Sequence, residues 1–216
     1  MRRIIKGTEP EILKLWKRTN SGKRYRDLPH EERQSIRSAC IEEQYGLCAW
    51  CCQRITLSNS SSHNEHVDSQ DLAPNRTLDF ANIVASCNKL GQCGKAHGSK
   101  PLPLTALMIE CETELKFYLS GRVEGTTLRA KASIEALNLG STRQQNKALF
   151  YNRKQMVDLL IFDQGLQPET LIDEDDDLLE ALSNELQQPN ELGRLQPFAP
   201  ILVNVICQLK TPPTPS

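Results

Sequence analysis

The chain has 216 residues, enough for one large domain or for one domain with an extension. Its net charge of −1 gives no reason to expect that the molecule as a whole binds nucleic acid. The charge is segregated, however. Residues 1–37 hold eleven Lys or Arg against five Asp or Glu, whereas residues 163–191 hold ten acidic residues and no Lys or Arg. We therefore expect the two ends to meet different partners.

The sequence contains neither a recognisable signal peptide nor a membrane span. Residues 1–7 are basic but lack the apolar segment of a signal peptide. No apolar run approaches the roughly 18 residues that a membrane-spanning helix needs. We therefore expect a cytoplasmic protein, whose eight cysteines need an explanation other than disulfides because that compartment is reducing.

The predicted elements are mainly helical. After a polar, basic stretch, a helix is expected from Pro29 to Tyr45, ending at Gly46. Residues 47–100 are expected to form loops and short strands. Four further helices are predicted, over Thr105–Leu119, Leu128–Leu137, Thr142–Phe162 and Leu178–Leu186. The apolar residues 198–209 fit a helix or a strand, and the proline-rich tail 210–216 is expected to be disordered.

These elements predict an α+β fold class, mainly helical, in four parts. The first is a basic N-terminal arm and helix (1–45), and the second is a centre rich in Cys and His (46–100). A helical extension with an acidic segment (101–209) and the tail (210–216) follow.

Four of the eight cysteines have a spacing that indicates a zinc site. Cys48 and Cys51 form a C-x2-C pair, which in a tight turn places two thiolates on one side of a tetrahedral ion. Cys87 and Cys93 are separated by five residues, and Gly91 between them permits a loop. The alternatives are buried free cysteines or a redox pair at Cys48 and Cys51. The other four are predicted to be a bystander (Cys52) and core residues (Cys40, Cys111 and Cys207).

The pair Glu65-His66 is the strongest candidate for catalysis. At the end of a strand, a carboxylate can bind a divalent cation while the next imidazole faces an attacking water. Hydrolysis of a phosphodiester needs these two functions. His63 and Asp68 flank the pair, and they are predicted to be polar loop residues rather than catalysts. His30 is predicted to lie at a helix N-terminus without a chemical role.

The order of these motifs resembles the HNH endonuclease pattern. In that family a ββα-metal motif is framed by two cysteine pairs, an acidic residue and His end the first strand, and an Asn precedes the second pair. The corresponding residues here are Cys48-x2-Cys51, Glu65-His66, Asn82, Cys87, Cys93 and His97. A closer resemblance, over residues 1 to about 155, is to the HNH protein of Septu and retron anti-phage defence systems (PtuB-like). It is carried by Met1–Gly7 with Glu9-Pro10, Gly46–Cys51, Glu65–Val67 and Leu137–Leu139.

The resemblance implies a role for each matching residue. His66 would be the general base, Glu65 a metal ligand, Asn82 the residue that holds the loop and orients His66, and His97 the second metal ligand. Asn88 remains an alternative to His97. The implied metals are structural Zn²⁺ on Cys48, Cys51, Cys87 and Cys93, and a catalytic Mg²⁺ or Mn²⁺.

The resemblance also implies partners. The HNH proteins of these systems work with a PtuA-like ATPase of the ABC/SMC type, and retron versions add a reverse transcriptase and its RNA–DNA hybrid. This chain has no G-x4-G-K-[ST] sequence, so a partner would handle ATP. The expected substrate is DNA or RNA, tRNA included. The rival hypothesis is a zinc-knuckle binding module without catalysis.

Two charged segments bear on these partners. Six basic residues near the N-terminus fit contacts with phosphates: Lys14, Lys17, Arg18, Lys23, Arg24 and Arg26. The five consecutive carboxylates from Asp173 to Asp177 would repel one another in an active site, and they fit a hydrated segment or a contact with a basic partner.

Overall fold

The first residues of the chain pack against the body of the protein. In the computed structural model, which describes residues 1–142 and 144–210, Met1 and Ile4 are buried. The Ile4 amide donates to the Ala106 carbonyl (2.7 Å), and Lys6 Nζ donates to Glu43 Oε2 (2.6 Å). The segment before the first helix is therefore part of the fold and does not extend from it as an arm.

Two helices precede the cysteine-rich centre. Helix α1 (Glu11–Thr19) lies in the polar, basic stretch for which the sequence predicted no helix. Leu13 is buried and Trp16 partly buried against the core; they are three residues apart, so they share one helical face among basic neighbours. Helix α2 (His30–Glu43) agrees with the prediction, and the chain turns after it at Gly46, whose φ is +74°.

The centre of the protein is a pair of strands followed by a single helical turn. Strands β1 (Ser62–His66) and β2 (Ile83–Cys87) pair antiparallel, with His66 opposite Ile83 and Ser62 opposite Cys87. All five residues of β2 are buried, and α2 packs on both strands. Helix α3 (Gly94–His97) follows the second cysteine pair.

A hairpin occupies the segment where a helix over Thr105–Leu119 was predicted. That prediction was wrong, because the segment forms a 3₁₀ turn (Ile109–Glu112) and strand β3 (Leu115–Phe117), which pairs antiparallel with β4 (Val123–Gly125). The pattern Leu-Lys-Phe alternates between buried and exposed, which is the period of a strand. The Phe117 amide also donates to Asn204 Oδ1 (2.9 Å), so a distant part of the chain stabilises the strand.

Four α-helices follow in the described part of the chain; three of them were predicted, and the fourth, at 198–209, had been left open as a helix or a strand. Helices α4 (Leu128–Ala136), α5 (Lys147–Asp163), α6 (Asp176–Leu186) and α7 (Ala199–Leu209) follow the hairpin. Helix α5 begins at Lys147, five residues after the predicted start at Thr142. Its N-terminal cap is Asn146, whose Oδ1 accepts from the Leu149 amide (3.1 Å). Within the predicted segments, Arg143 and the tail from 211 to 216 lie outside the described residues.

The acidic run is the start of α6. Asp175 caps the helix, accepting from the Leu178 amide (2.8 Å), and Asp176 and Asp177 lie in its first turn. Negative charge is favourable at this end because the helix dipole is positive there. The run thus has a local structural role, and it does not form a cluster at the Cys- and His-rich centre.

The protein is a mixed α and β structure with two small two-stranded antiparallel sheets, and buried residues from Met1 to Ile206 form one hydrophobic core. Among the described residues, no helix is long and apolar enough to cross a membrane.

Candidate functional site

The two cysteine pairs come together as one buried group. Their sulfur atoms all lie within 4.8 Å of one another, and the cysteines are Cys48, Cys51, Cys87 and Cys93. A tetrahedral zinc ion with Zn–S bonds of about 2.3 Å needs sulfurs about 3.8 Å apart, so this spacing fits. The wide second pair is accommodated because the chain turns through positive φ at Gly91 (71°) and at Cys93 (53°). The group could hold a structural metal such as zinc.

The sulfur atoms interact strongly with one another. Hydrogen bonds from the thiols of Cys48, Cys51 and Cys93 lower the pKa of Cys87 far below its ordinary value. Burial raises the pKa values of Cys51 and Cys93 well above theirs. Four thiolates this close need compensating positive charge, which a shared cation would supply.

The remaining cysteines lie outside this group. Cys40 and Cys111 are buried in the core, as predicted, and Cys52, which was predicted to be a bystander, is buried as well. Burial raises the pKa of Cys40 and of Cys111 to about 12, so these thiols are protonated at neutral pH. Cys207 was predicted to be a core residue, but it is exposed on the outer face of α7.

Beside the cysteines, a carboxylate lies between two imidazoles. Glu65 Oε1 is 2.6 Å from His97 Nδ1, and Glu65 Oε2 is 3.0 Å from His63 Nε2. His63 and Glu65 share one face of β1 because they are two residues apart, and α3 brings His97 to the same face. Burial raises the pKa of Glu65, but hydrogen bonds and charge from the two histidines outweigh it, so the net pKa is lowered.

The hydrogen bonds of His97 indicate that a cation or a proton belongs between its ring and Glu65. The ring is fully buried, and its Nε2 donates to the Lys100 carbonyl (2.6 Å). A neutral ring then has a lone pair on Nδ1, which faces Glu65 Oε1 at 2.6 Å. Two acceptors at this distance repel unless a proton or a cation joins them, and a proton on Nδ1 is sufficient.

Asn88, the alternative to His97, lies elsewhere. Its side-chain amide donates to the Asn59 carbonyl (2.7 Å), away from Glu65. Of the two candidates, the fold brings His97 to the carboxylate.

His66 is held so that one ring nitrogen remains an acceptor. Its Nε2 donates to the Thr77 carbonyl (2.9 Å), which leaves the lone pair on Nδ1. The edge of the Tyr25 ring packs against the imidazole at 4.8 Å between centroids. Burial lowers the pKa of His66, although Thr77 and Glu65 partly oppose this. A neutral imidazole in this tautomer can accept a proton.

Asn82 ties the two ends of the loop between β1 and β2 together. Its Oδ1 accepts from the Asp68 amide (2.8 Å), and its Nδ2 donates to the Asp68 carbonyl (2.9 Å). The Val67 amide also donates to the Asn82 carbonyl (2.9 Å). These bonds fix the chain directly after His66.

Glu65 and His66 open onto one polar cleft of about 370 Å³. Its other lining residues are Asn64, Ser69, Gln70, Asp71, Gly98 and Ser99. Adjacent residues on a strand point to opposite faces, and both reach the cleft because β1 ends at His66. Asp68 forms a salt bridge with Arg76, and His30 is exposed at the start of α2.

His63 is the site residue that sequence reasoning missed. It was interpreted as a polar loop residue after a run of serines, but it lies on β1 and contacts Glu65. The available signal was the spacing of His63 and Glu65, since residues two apart on a strand share a face.

The fold and the site define a mixed α and β protein with a buried four-cysteine group that could hold a metal ion and an adjacent His–Glu–His cluster at a polar cleft. No known family model matches the sequence, and no curated protein matches it.

Proposed function

We propose that the protein is a metal-dependent nuclease of the HNH type that hydrolyses phosphodiester bonds in DNA or RNA. The observation that carries this proposal is that Glu65 and His66, with Nδ1 of His66 free to accept, line one cleft. His63 and His97 hold the Glu65 carboxylate from both sides. The antiparallel strands β1 and β2 followed by α3 have the order of a ββα-metal motif, and the cysteine group frames them.

In this proposal each residue has a defined task. Glu65 and His97 hold a catalytic Mg²⁺ or Mn²⁺, and His63 is a third ligand from the same strand face. Such an ion would take up charge on the phosphate and on the leaving oxygen. His66 accepts the proton of the attacking water, and the Thr77 carbonyl holds its ring in the required tautomer.

Asn82 supports His66 and does not contact the substrate. By bonding both backbone groups of Asp68, it fixes the loop that carries Thr77 and thus the orientation of His66. The cysteine group, occupied by zinc, anchors the end of β2 and the start of α3. Both supports position groups and do not touch the substrate.

The two rival functions have weaker support. A binding module without catalysis has no use for a buried Glu65 between two imidazoles or for an oriented His66. A thiol oxidoreductase needs a reactive cysteine that a substrate disulfide can reach, but Cys48 and Cys51 are only 1% and 2% exposed.

The resemblance to PtuB-like proteins extends the proposal to a biological setting. In that setting the chain is the effector subunit of an anti-phage complex with a PtuA-like ABC/SMC-type ATPase, and in a retron version with a reverse transcriptase and its RNA–DNA hybrid. Isolation of the chain from its native host with the proteins bound to it tests this part separately from the chemistry.

The chemistry is tested by replacing Glu65 with Gln, which keeps the shape but removes the negative charge. Purified wild type and Glu65→Gln, alone and with co-purified proteins, are incubated with plasmid DNA, single-stranded DNA and tRNA in Mg²⁺ or Mn²⁺. We expect wild type to cut at least one substrate and the variant to be about 10²-fold slower or worse, because the ion contributes several kcal/mol.

Glu124→Gln is the matched control, since that carboxylate pairs with Arg122 on the distant hairpin. It should cut like wild type. A wild type that cuts none of these substrates, or a Glu65→Gln protein that cuts at the wild-type rate, contradicts the proposal.

A second prediction concerns Gly94, the first residue of α3. A Cβ there would lie 2.5 Å from Glu65 Oε2 and 2.6 Å from His63 Nε2, so both side chains must shift. We expect Gly94→Ala to weaken Mn²⁺ binding about tenfold, measured by calorimetry. Lys95→Ala, at the next and exposed position, should bind Mn²⁺ like wild type. Equal Mn²⁺ affinity in Gly94→Ala and wild type would count against this cluster as the ion's site.

A further inference from the structure

Arg153 on α5 is a buried cation without a carboxylate partner among the described residues. Its side chain is 1% exposed and lies over the Phe117 ring (5.2 Å to the centroid). The guanidinium donates to two backbone carbonyls, those of Gly121 (2.7 Å) and Leu139 (2.7 Å), and its Nε has no partner in the described part of the chain. A buried charge is costly unless an opposite charge compensates it.

Arg153 lies next to the segment that meets the cysteine group. The Leu139 carbonyl, to which it donates, is two residues from the Leu137 carbonyl, which accepts from the Cys93 amide (2.8 Å). Burial lowers the pKa of Arg153 to about 10, whereas the thiols of Cys51, Cys52 and Cys93 raise it. Four thiolates around one divalent ion leave an excess of two negative charges. A cation buried close to such a group is stabilised, and it stabilises the group in return.

A second buried polar side chain, Gln92, also faces the sulfurs. Its Nε2 lies 3.7 Å from Cys87 Sγ, 3.9 Å from Cys93 Sγ and 4.0 Å from Cys51 Sγ, within the range of N–H···S hydrogen bonds. The amide is oriented from its other end, because Oε1 accepts from Asn146 Nδ2 (3.3 Å).

Gln92 connects the sulfurs to helix α5, because Asn146, which orients it, is the N-terminal cap of that helix. Arg153 lies two turns further along the same helix. A second connection is the bond from the Cys93 amide to the Leu137 carbonyl (2.8 Å), just after α4. The helical region thus reaches the cysteine group by two independent contacts.

We propose that Gln92 and Arg153 balance the excess negative charge of a four-thiolate zinc site, and that they make helix α5 part of the support of the metal. The Gln92 amide hydrogen-bonds to the thiolates, and the buried guanidinium supplies the compensating charge. Nothing in this assignment depends on nuclease activity.

The test measures zinc affinity in the full-length protein by competition with a chromophoric chelator. Arg153→Met keeps the length of the side chain and removes its charge, and we expect zinc to bind 10- to 100-fold more weakly, roughly the effect of losing a residue that supports metal ligands. Arg37→Met is the matched control. Arg37 is also buried and donates to a backbone carbonyl, that of Ser62 (2.9 Å), but no cysteine of the group contacts it. Its loss should leave zinc affinity unchanged.

Substitution of zinc by cobalt(II) gives a spectrum that a loss of protein stability alone does not change. Loss of positive charge or of N–H donors raises the energy of the sulfur electrons, so the sulfur-to-cobalt charge-transfer band should shift to lower energy in Arg153→Met and in Gln92→Leu. Arg153→Lys, which keeps the charge, should stay close to wild type. If Arg153→Met does not fold, Gln92→Leu decides, because it is similar in volume and removes only the amide. The proposal is wrong if Gln92→Leu and any folded Arg153→Met keep both the wild-type zinc affinity and the wild-type band. It is also wrong if the wild type binds no zinc.

Discussion

Replacing Cys48 with Ser is expected to remove the structural metal and to destabilise the whole protein. The four sulfurs are buried together and connect β2, α3 and the turn after α2, so losing one ligand opens the group that joins them. Structural zinc contributes about 10–16 kcal/mol of apparent binding free energy in small zinc domains, and that binding is coupled to folding. A loss of even about 4 kcal/mol would lower the melting temperature by roughly 8–16 °C.

Three measurements check this prediction. Zinc per chain, measured by elemental mass spectrometry, should fall from about one to near zero. Thermal unfolding followed by circular dichroism should shift down, and tryptophan emission should shift to longer wavelength because Trp50, fully buried between Cys48 and Cys51, becomes exposed.

Cys40→Ser is the control, since Cys40 is equally buried but lies outside the group, and a hydroxyl can replace its contact with the Ile83 carbonyl (3.4 Å). It should keep its zinc. If Cys48→Ser and wild type have the same metal content and the same melting temperature, the cysteine group holds no structural metal.

Replacing His66 with Ala is expected to lower the rate of phosphodiester cleavage by about 10²- to 10⁴-fold, the usual contribution of a general base. The His63–Glu65–His97 cluster should be unaffected, because His66 has its own partner, the Thr77 carbonyl, and Glu65 is held by His63 and His97. Single-turnover cleavage and Mn²⁺ calorimetry on the same protein separate the two effects. This pattern differs from that of Glu65→Gln, which should lose Mn²⁺ affinity together with rate.

Chemical rescue distinguishes a missing base from a distorted site. The Ala variant leaves space beside the Tyr25 ring, so added imidazole should restore part of the rate. His30→Ala removes an exposed histidine at the start of α2 and should cut like wild type. A His66→Ala protein with the wild-type rate would show that His66 is not the base, whatever else the cleft does.

Local signals in the sequence predicted most of the helices. Helices α2, α4 and α6 were predicted to within a few residues because periodic apolar residues, a cap and a following turn mark them. The cysteine group was also predicted, since C-x2-C spacing is specific and the thiols had no other explanation in a reducing compartment.

The wrong secondary-structure predictions have physical causes that lie outside any short stretch of the sequence. The segment Thr105–Leu119 had helical composition, but Leu115 and Phe117 pair with β4, and α7 contacts the strand from about ninety residues away through Asn204. Helix α1 was missed because its few apolar residues stand among basic ones, and they gain burial only against the rest of the core.

The sequence by itself determined which side chains can do chemistry here: four paired cysteines, Glu65-His66 and a later histidine. Only the tertiary structure decided how they combine. Formation of strand β1 placed His63 and Glu65 on one face, and the lack of a side chain at Gly94 leaves room for both beside α3. Packing of α3 brought His97 to the carboxylate, where Asn88 does not reach, and it brought Gln92 to the sulfurs. Spacing along a chain sets which residues are neighbours on one element, whereas distances between elements depend on packing, which no local pattern specifies.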